Sequence, residues 1–423
     1  RRAHPRHALI PGGRDVLVVR NIRVLCTMEA TPTDPLGRVE NAALIADDHD
    51  VTWVGPEKDL PPIPPGAQQL DARGGAVLPG LVECHTHLVY AGDRAAEYVR
   101  RARGETYLQI AQSGGGIMTT VRATRAAPEA ELVDAALFRL RTLLRHGVTT
   151  CEVKSGYGLT IDDELKLLRA VRVVAALQPV ELVATFLGAH TCPPEYQGRA
   201  DEYLRVVCEE MVPAVAEGGL ARFCDIFVEK SAFSPHHART LAEAARKHGL
   251  GIKLHVDQLS EGNGAQLAAE LGATSADHLD HTTPEGIAAL KNAGVTAVLL
   301  PTAQVFLGHA QKAPGRALID AGVPVAISTD LNPGTSPCAH LPLAGTLAVS
   351  QYRMTVEESL LAITRNAARA VGRPELGRLV PGSPLDAIIL DRPSPEHLLY
   401  EMAGDVVGTV IKSGRVVHRR AEA

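Results

Sequence analysis

The sequence predicts an α/β protein in which a (β/α)8 barrel of the TIM type carries a small β-sandwich domain formed by both chain ends. Three observations support this fold class. Short apolar strands alternate with longer amphipathic stretches through the middle of the chain. The segments on either side are rich in Val, Ile and Leu and lack a helical period. The polar residues of each predicted barrel strand lie at its carboxyl end, where barrel enzymes build their active sites.

Residues 1–75 are expected to form the first part of the sandwich. The runs DVLVVRNIRVL and AALIADDHDVTWVG are apolar and are interrupted by Asp, Asn and Gly. The PPIPPG segment at 61–66 breaks regular structure and marks a connection. The opening RRAHPRHALIPGG is basic but is followed by no apolar stretch, so we expect no secretory signal.

Residues 76–374 are expected to form the barrel. The candidate strands are AVLPGLVECHT, GVTTCEVKS, ELVATFLGAH, FCDIFVEKS, GIKLHVDQ, ATSADHL, TAVLLPTA and PVAISTDLN. Amphipathic runs such as ELVDAALFRLRTLLRHG and DDELKLLRAVRVVAALQ separate them and predict helices. A last helical run, TVEESLLAITRNAARAVG, starts with Thr355 and Glu358 at the spacing of a capping box.

Residues 375–423 return to β structure and are expected to complete the sandwich. PLDAIILD and VVGTVIKSGRVVH are apolar segments with glycine at the turns. The 423 residues are 45% hydrophobic and 22% charged, which is ordinary for a globular enzyme. The net charge of −5, without basic blocks or long apolar runs, argues against nucleic-acid and membrane partners. Seven cysteines without a CxxC pair indicate free thiols, so we expect a cytoplasmic protein.

Ionisable and polar side chains follow the predicted barrel strands with unusual regularity. They are His85 and His87, Lys154, Ser155 and Tyr157, His190, Glu229 and Lys230, His255 and Gln258, His278, and Asp330 with Asn332. Because the carboxyl ends of parallel strands meet at one face of a barrel, these residues are expected to surround one site.

His85 and His87 predict a metal site. Side chains two apart on a strand point the same way, so both imidazoles can bind one cation. His255 and Asp330 supply the further nitrogen and oxygen donors that a catalytic centre needs. These donors suit zinc, iron or manganese. The alternative, that the two histidines are core residues bonded to backbone carbonyls, leaves the matching strand-end positions of His255 and Asp330 unexplained.

Two further groups have expected chemical roles. Asp330 can take a proton from water and pass it to a leaving nitrogen, and His278 is a second candidate for acid–base chemistry. Arg94, in the polar AGDRAAE segment, offers a planar fork for a carboxylate and suggests an acidic substrate. A solvated surface arginine is the alternative at that position.

SGGGIMTT at 113–120 is either a loop over the site or a simple turn.

The chain resembles the amidohydrolase superfamily and, within it, the imidazolonepropionases of histidine degradation. The resemblance covers nearly the whole chain. Its motifs are PGLVECHTHLVYAGDR, SGGGIMTTVRATRAA, EVKSGYGL, TFLGAHTCPPEY, KLHVDQLSEGNGAQLAAELGATSADHL, STDLNPGTSP and TRNAARAVG. It implies hydrolysis of 4-imidazolone-5-propanoate to N-formimidoyl-L-glutamate, with one zinc or iron ion per subunit, in a homodimer.

The resemblance also implies roles for individual residues. The metal ligands would be His85, His87, His255 and Asp330. The substrate would be bound by Arg94 and Tyr157 at its carboxylate, by His190 and Gln258 at its ring, and by Asn332, Gly334 and Thr335 in the pocket. The family can carry Glu where this chain has Gln258, and an amide is no base, so the proton role falls to Asp330 and His278.

Two other functions are compatible with parts of this pattern. A hydrolase or deaminase of another heterocycle would share the metal residues but would not need the carboxylate clamp of Arg94 and Tyr157. A non-catalytic scaffold would have no reason to keep all four ligands.

Overall fold

The computed structural model describes residues 16–106, 109–110 and 113–421. The opening RRAHPRHALIPGG, with the rest of the first fifteen residues, lies outside the described part. The strands are β1 (Val16–Cys26), β2 (Arg38–Asp47), β3 (Asp50–Pro56), β4 (Gln68–Asp71), β5 (Ala76–Pro79), β6 (Leu81–Glu83), β7 (Val148–Lys154), β8 (Glu181–Ala189), β9 (Phe223–Val228), β10 (Gly251–Val256), β11 (Ser275–His278), β12 (Thr296–Leu299), β13 (Val325–Ile327), β14 (Ala387–Leu390), β15 (Val407–Lys412) and β16 (Arg415–Arg419).

Helices occupy most of the segments between the barrel strands, and four more helices follow β13 in the described part of the chain. They are α1 (Ala95–Ala102), α2 (Ile117–Ala126), α3 (Glu129–Arg145), α4 (Ile161–Leu177), α5 (Ala200–Val206), α6 (Val212–Glu217), α7 (Pro235–Lys247), α8 (Gly264–Glu270), α9 (Pro284–Ala293), α10 (Pro301–Leu307), α11 (Gly315–Asp320), α12 (Leu341–Tyr352), α13 (Val356–Ala362), α14 (Arg365–Ala370) and α15 (His397–Tyr400). One π-helical turn, Val207–Met211, joins α5 to α6.

The predicted barrel is confirmed. Strands β6 to β13 form one parallel sheet in chain order. Its ends meet where Thr86 and Leu331 form a parallel bridge and the His87 N–H donates to the Leu331 carbonyl oxygen at 2.9 Å. The strands are buried almost throughout, which explains why they read as apolar runs rather than as alternating patterns.

The smaller β domain is also confirmed as a product of both chain ends. Its strands lie in the order β16-β15-β14-β5-β1-β2-β3, with β4 added beside β1. Strand β14, from the carboxyl-terminal segment, runs antiparallel to β5, which itself pairs in parallel with β1. The division at 1–75, 76–374 and 375–423 stays a prediction, and β5 lies directly after its first boundary.

Two predicted elements are divided in the structure. AVLPGLVECHT contains β5 of the smaller sheet and β6 of the barrel, because Gly80 N–H donates to Asp386 O whereas Leu81 N–H donates to Gly147 O. TVEESLLAITRNAARAVG contains α13 and α14, separated at Thr364 by a non-helical backbone with φ −127° and ψ −96°. The predicted capping box of Thr355 and Glu358 is confirmed at the start of α13.

The described helices include none that is both long enough and apolar enough to cross a bilayer.

A glycine between β4 and β5 tests the joining of the two chain ends. A Cβ built on Gly75 would lie 2.1 Å from the backbone carbonyl oxygen of Leu390, at the end of β14. We expect Gly75→Ala to lower the free energy of unfolding by about 1–3 kcal/mol, because strand backbones must separate. Gly262→Ala is the control, since its Cβ would lie 3.6 Å from Asp257 Oδ1. Equal denaturant midpoints for both variants would contradict this account.

Candidate metal centre and active site

The carboxyl ends of the barrel strands surround a cavity of about 610 Å³. Ten of the residues predicted for the site line it: His87, Arg94, Tyr157, His190, His255, Gln258, His278, Asp330, Asn332 and Thr335. His85 is fully buried beside His87 and His255, and Gly334 lies against Arg94. The structure therefore brings the predicted metal ligands, acid–base residues and substrate contacts to one face of the barrel. The other strand-end residues of the sequence analysis do not line the cavity: Lys154, Ser155, Glu229 and Lys230.

The predicted ligand side chains approach one another closely. Asp330 Oδ1 lies 3.5 Å from His85 Nε2 and 3.7 Å from His87 Nε2. The His85 and His255 rings are 4.6 Å apart between centroids, and His278 lies 5.4 Å from His255. Two groups of three within the described residues have the spacing to hold a metal ion: His85 with His87 and Asp330, and His85 with His255 and His278.

The donor atoms of this group fit a cation. The buried atoms His85 Nε2, His87 Nδ1 and His255 Nε2 have no hydrogen-bond partner among the described residues, whereas His255 Nδ1 faces Asp225 Oδ2. Buried polar atoms are rarely left unpaired, so three imidazole nitrogens in one cluster indicate an absent partner that accepts lone pairs. Burial is the main cause that lowers the pKa of all three histidines well below the ordinary value. They are thus neutral near pH 7, which is the form that binds metals.

Asp330 is the acidic member of the group. Burial raises its pKa to about 8, although hydrogen bonds associated with Asn332 and Thr335 oppose the shift. A cation among the same donors favours the ionised carboxylate. The amide of Asn332 donates to Asp330 O at 2.6 Å and to Thr335 Oγ1 at 2.7 Å, while its Oδ1 accepts from Gly334 N and Thr335 N. Asn332 therefore shapes the loop that carries the carboxylate.

The two predicted acid–base residues have left-handed backbone conformations. The φ angles are 77° at His278 and 54° at Asp330. Such angles are costly for residues with a side chain and concentrate at functional sites. Burial lowers the pKa of His278 to about 4, so its ring is neutral at pH 7.

Two buried carboxylates beneath the site were not predicted from the sequence. Asp277 Oδ2 lies 2.6 Å from His85 Nδ1, and Asp225 Oδ2 lies 3.0 Å from His255 Nδ1. Burial would raise the pKa of Asp277, but Lys154 and Lys253 bring it below the ordinary value. The available signal was an acidic residue in the middle of a predicted barrel strand, as in FCDIFVEKS and ATSADHL. Carboxylates at the outer nitrogens of ligand histidines fix ring orientation and tautomer.

Arg94 lines the cavity, and its side chain is only 10% exposed. The alternative of a solvated surface arginine is therefore wrong. Its Nε and Nη2 contact Glu97 at 2.8 and 2.7 Å. Glu97 also accepts from Gly116 N and Thr119 Oγ1, both at 3.0 Å, and so fixes the start of α2. The SGGGIMTT segment, expected to be a loop or a turn, is therefore helical in its second half. A Cβ on Gly334 would lie 1.9 Å from Arg94 Nη1, so only glycine allows this approach.

Aromatic rings form another part of the cavity wall. His190 stacks on His87 with ring centroids 5.0 Å apart, and Tyr157 lies 5.6 Å from the same ring. His190 Nδ1 donates to the Gly156 carbonyl oxygen at 3.0 Å. Glu164 holds the Tyr157 loop by accepting from three backbone N–H groups. Gln258 lies on a loop that Glu229 holds in the same way, through Leu259 N and Ser260 N.

The chain is similar in sequence to a known protein family and to several enzymes of that family. The model of the amidohydrolase family matches residues 76–417. The chain is 49% identical to the imidazolonepropionase of Rhizorhabdus wittichii over 90% of this chain and 95% of that protein. It is 47% identical to the imidazolonepropionase of Anaeromyxobacter dehalogenans over 96% of this chain and 97% of that protein.

Solved structures show the same fold at low sequence identity. A 5-methylcytosine deaminase from Klebsiella pneumoniae has a TM-score of 0.72 at 17% identity, covering 96% of this chain and 98% of its own. An N-isopropylammelide isopropylaminohydrolase from Burkholderia multivorans has a TM-score of 0.69 at 21% identity, with coverage of 96% and 98%. The chain therefore belongs to the amidohydrolase family and, within it, to the imidazolonepropionases.

Proposed function

We propose that this protein hydrolyses the ring C–N bond of 4-imidazolone-5-propanoate to give N-formimidoyl-L-glutamate. The activity is that of its relatives at 46–49% identity. The observation that carries the proposal is a single cavity that contains both unpaired metal-ligand donors and a largely buried arginine. The donors suit hydrolysis, and the arginine suits a substrate with a carboxylate.

His85, His87, His255 and Asp330 would hold a single metal ion, for which we propose zinc or iron. Three imidazoles and one carboxylate are donors that both ions accept. When bound, such an ion supplies Lewis-acid chemistry, acidifying water and polarising a carbonyl group.

The protein's own residues account for proton movement. In the reaction, a water oxygen bonds to the ring carbonyl carbon, and the bond from that carbon to the ring nitrogen breaks. Asp330 takes the proton from water and delivers it to the departing nitrogen. His278, which faces the same cavity, stabilises the charge that develops on the carbonyl oxygen through its ring N–H. Gln258 cannot serve as the base because a side-chain amide does not take up a proton near neutral pH.

Side chains of the cavity wall would orient the substrate. Arg94 and Tyr157 would bind the propionate carboxylate, and His190 with Gln258 would contact the ring. Glu97 holds two nitrogens of Arg94, so the guanidinium is positioned before substrate arrives. Asn332, Gly334 and Thr335 would complete the pocket, with Gly334 leaving space for Arg94.

We also propose a cytoplasmic homodimer. All seven cysteines are free thiols, as a reducing compartment would maintain. The homodimer follows from the family resemblance. The three-part division of the chain at residues 75 and 374 is kept as part of the proposal.

The direct test is the decay of enzymatically generated imidazolone propionate, followed by absorbance with and without a chelator. We expect the protein to accelerate the decay and the chelator to abolish the acceleration. A rate equal to the spontaneous one, with metal bound, would refute the substrate and favour a hydrolase of another heterocycle.

Arg94→Gln tests the carboxylate clamp. Loss of a charge-assisted contact made equally in ground and transition states should raise KM about 10–100-fold and change kcat little. Arg103→Gln, in an exposed position after α1, is the matched control and should leave both constants unchanged. Steady-state kinetics at constant ionic strength measures kcat and KM for each variant. Full turnover of imidazolone propionate by Arg94→Gln at an unchanged KM would favour the alternative function, a hydrolase or deaminase of another heterocycle.

His87→Ala and His190→Ala separate a ligand from its stacked neighbour. The two rings lie 5.0 Å apart in the cavity, but only His87 belongs to a metal-binding group. We expect His87→Ala to lose most of its bound metal, whereas His190→Ala retains about one equivalent per chain. Elemental analysis after dialysis against zinc provides the measurement, and equal metal contents in the two variants would contradict the ligand assignment.

A further inference from the structure

Lys154 is a fully buried lysine that the proposed reaction does not use. It ends β7 inside the barrel, and its side chain has no exposed surface. Its Nζ lies 2.7 Å from Asp225 Oδ2, 3.3 Å from Asp277 Oδ2 and 3.2 Å from Glu152. One ammonium group therefore joins carboxylates from three separate barrel strands.

Two of these carboxylates reach the histidines of the proposed metal centre. Asp277 Oδ2, the same atom that faces Lys154, lies 2.6 Å from His85 Nδ1. Asp225 Oδ2, which also faces Lys154, lies 3.0 Å from His255 Nδ1. Each carboxylate oxygen thus stands between the lysine and the outer nitrogen of one ligand ring.

Lys253 provides an internal comparison. It is equally buried and lies two residues before His255 on β10. Within the described part of the chain, Glu152 is its only ion-pair partner, at 2.6 Å, and its second contact is the Cys84 carbonyl oxygen at 3.4 Å. Lys253 neutralises buried charge as Lys154 does, but it contacts neither Asp225 nor Asp277. Of the two lysines, only Lys154 contacts the Oδ2 atoms of both carboxylates. Their Oδ1 atoms accept from Ile226 N–H and from the Ser275 hydroxyl, so Lys154 is the contact on the side that faces the histidines.

We propose that Lys154 is a positioning residue for the metal centre, holding Asp225 and Asp277 where they orient the rings of His255 and His85. The inference rests on the metal centre of the proposed function. Without the ammonium group, the carboxylates would rotate toward other hydrogen-bond donors and the two rings would lose their alignment. Outer carboxylates of this kind are typically worth 10–100-fold in metal affinity.

The test compares Lys154→Met with Lys253→Met, two variants that each remove one buried ammonium group. The zinc dissociation constant of each metal-free protein is measured by competition with a chromophoric chelator, and circular dichroism and thermal midpoints record folding. We expect zinc affinity to fall about 10–100-fold for Lys154→Met and less than about threefold for Lys253→Met. Both variants should lower the thermal midpoint. An unchanged affinity in Lys154→Met, or equal losses in both variants, would overturn the proposal.

A charge-balanced pair decides the matter if Lys154→Met does not fold. Asp225→Asn removes one buried negative charge but leaves the contact from Lys154 to Asp277 in place. Adding Lys154→Met then removes one positive charge, so the double variant has the same net buried charge as the wild-type protein. The double variant should bind zinc at least about tenfold more weakly than Asp225→Asn alone. Equal affinities would overturn the role of Lys154.

The zinc-affinity comparison and the activity assay can fail independently of each other. A wild-type protein that binds zinc without accelerating imidazolone propionate decay would refute the substrate while leaving the affinity comparison valid. A wild-type protein that binds neither zinc nor iron would overturn the metal centre and, with it, the role of Lys154.

Discussion

The interior of this barrel depends on the pairing of buried charges. Glu152, Lys154, Asp225, Lys253 and Asp277 are all shielded from solvent and contact one another through their side chains. An isolated buried charge is strongly unfavourable, and breaking one buried pair typically costs about 3–5 kcal/mol. The charges are tolerated because each faces an opposite charge on another strand. They also join strands β7, β9, β10 and β11 directly beneath the proposed metal site.

The carboxylates of this network contact two of the proposed ligand histidines, His85 and His255. His85 follows β6, a strand of only three residues. Backbone pairing over so few residues constrains side-chain direction weakly, whereas a carboxylate at the outer nitrogen fixes a ring directly. The polar network therefore supplies orientation that the strand ladder does not.

The loops of the active site have a common anchoring device. Glu97, Glu164 and Glu229 are buried carboxylates that accept backbone N–H groups from the loops carrying or facing the proposed substrate-binding residues. Asn332 does the same for the loop after β13 through its side-chain oxygen. Such bonds satisfy N–H groups that irregular backbone would otherwise leave unpaired. Site residues on loops are in this way held by side-chain hydrogen bonds where no strand pairing is present.

The barrel, the smaller domain from both chain ends and most of the residues at the carboxyl face could be predicted from the sequence. These depend on local patterns: apolar strands, helical periods and the alternation that directs His85 and His87 to the same side. The sequence pattern did not reveal that AVLPGLVECHT serves two sheets, because the change of partners at Gly80 involves Asp386 and Gly147, which are distant in the chain. Likewise, Asp225 and Asp277 appear in the sequence as single acids within predicted strands, and only closure of the barrel brings them to Lys154 and the histidines. These contacts follow from the closed barrel because a buried charge acquires its role from its partners, and those partners lie on other strands.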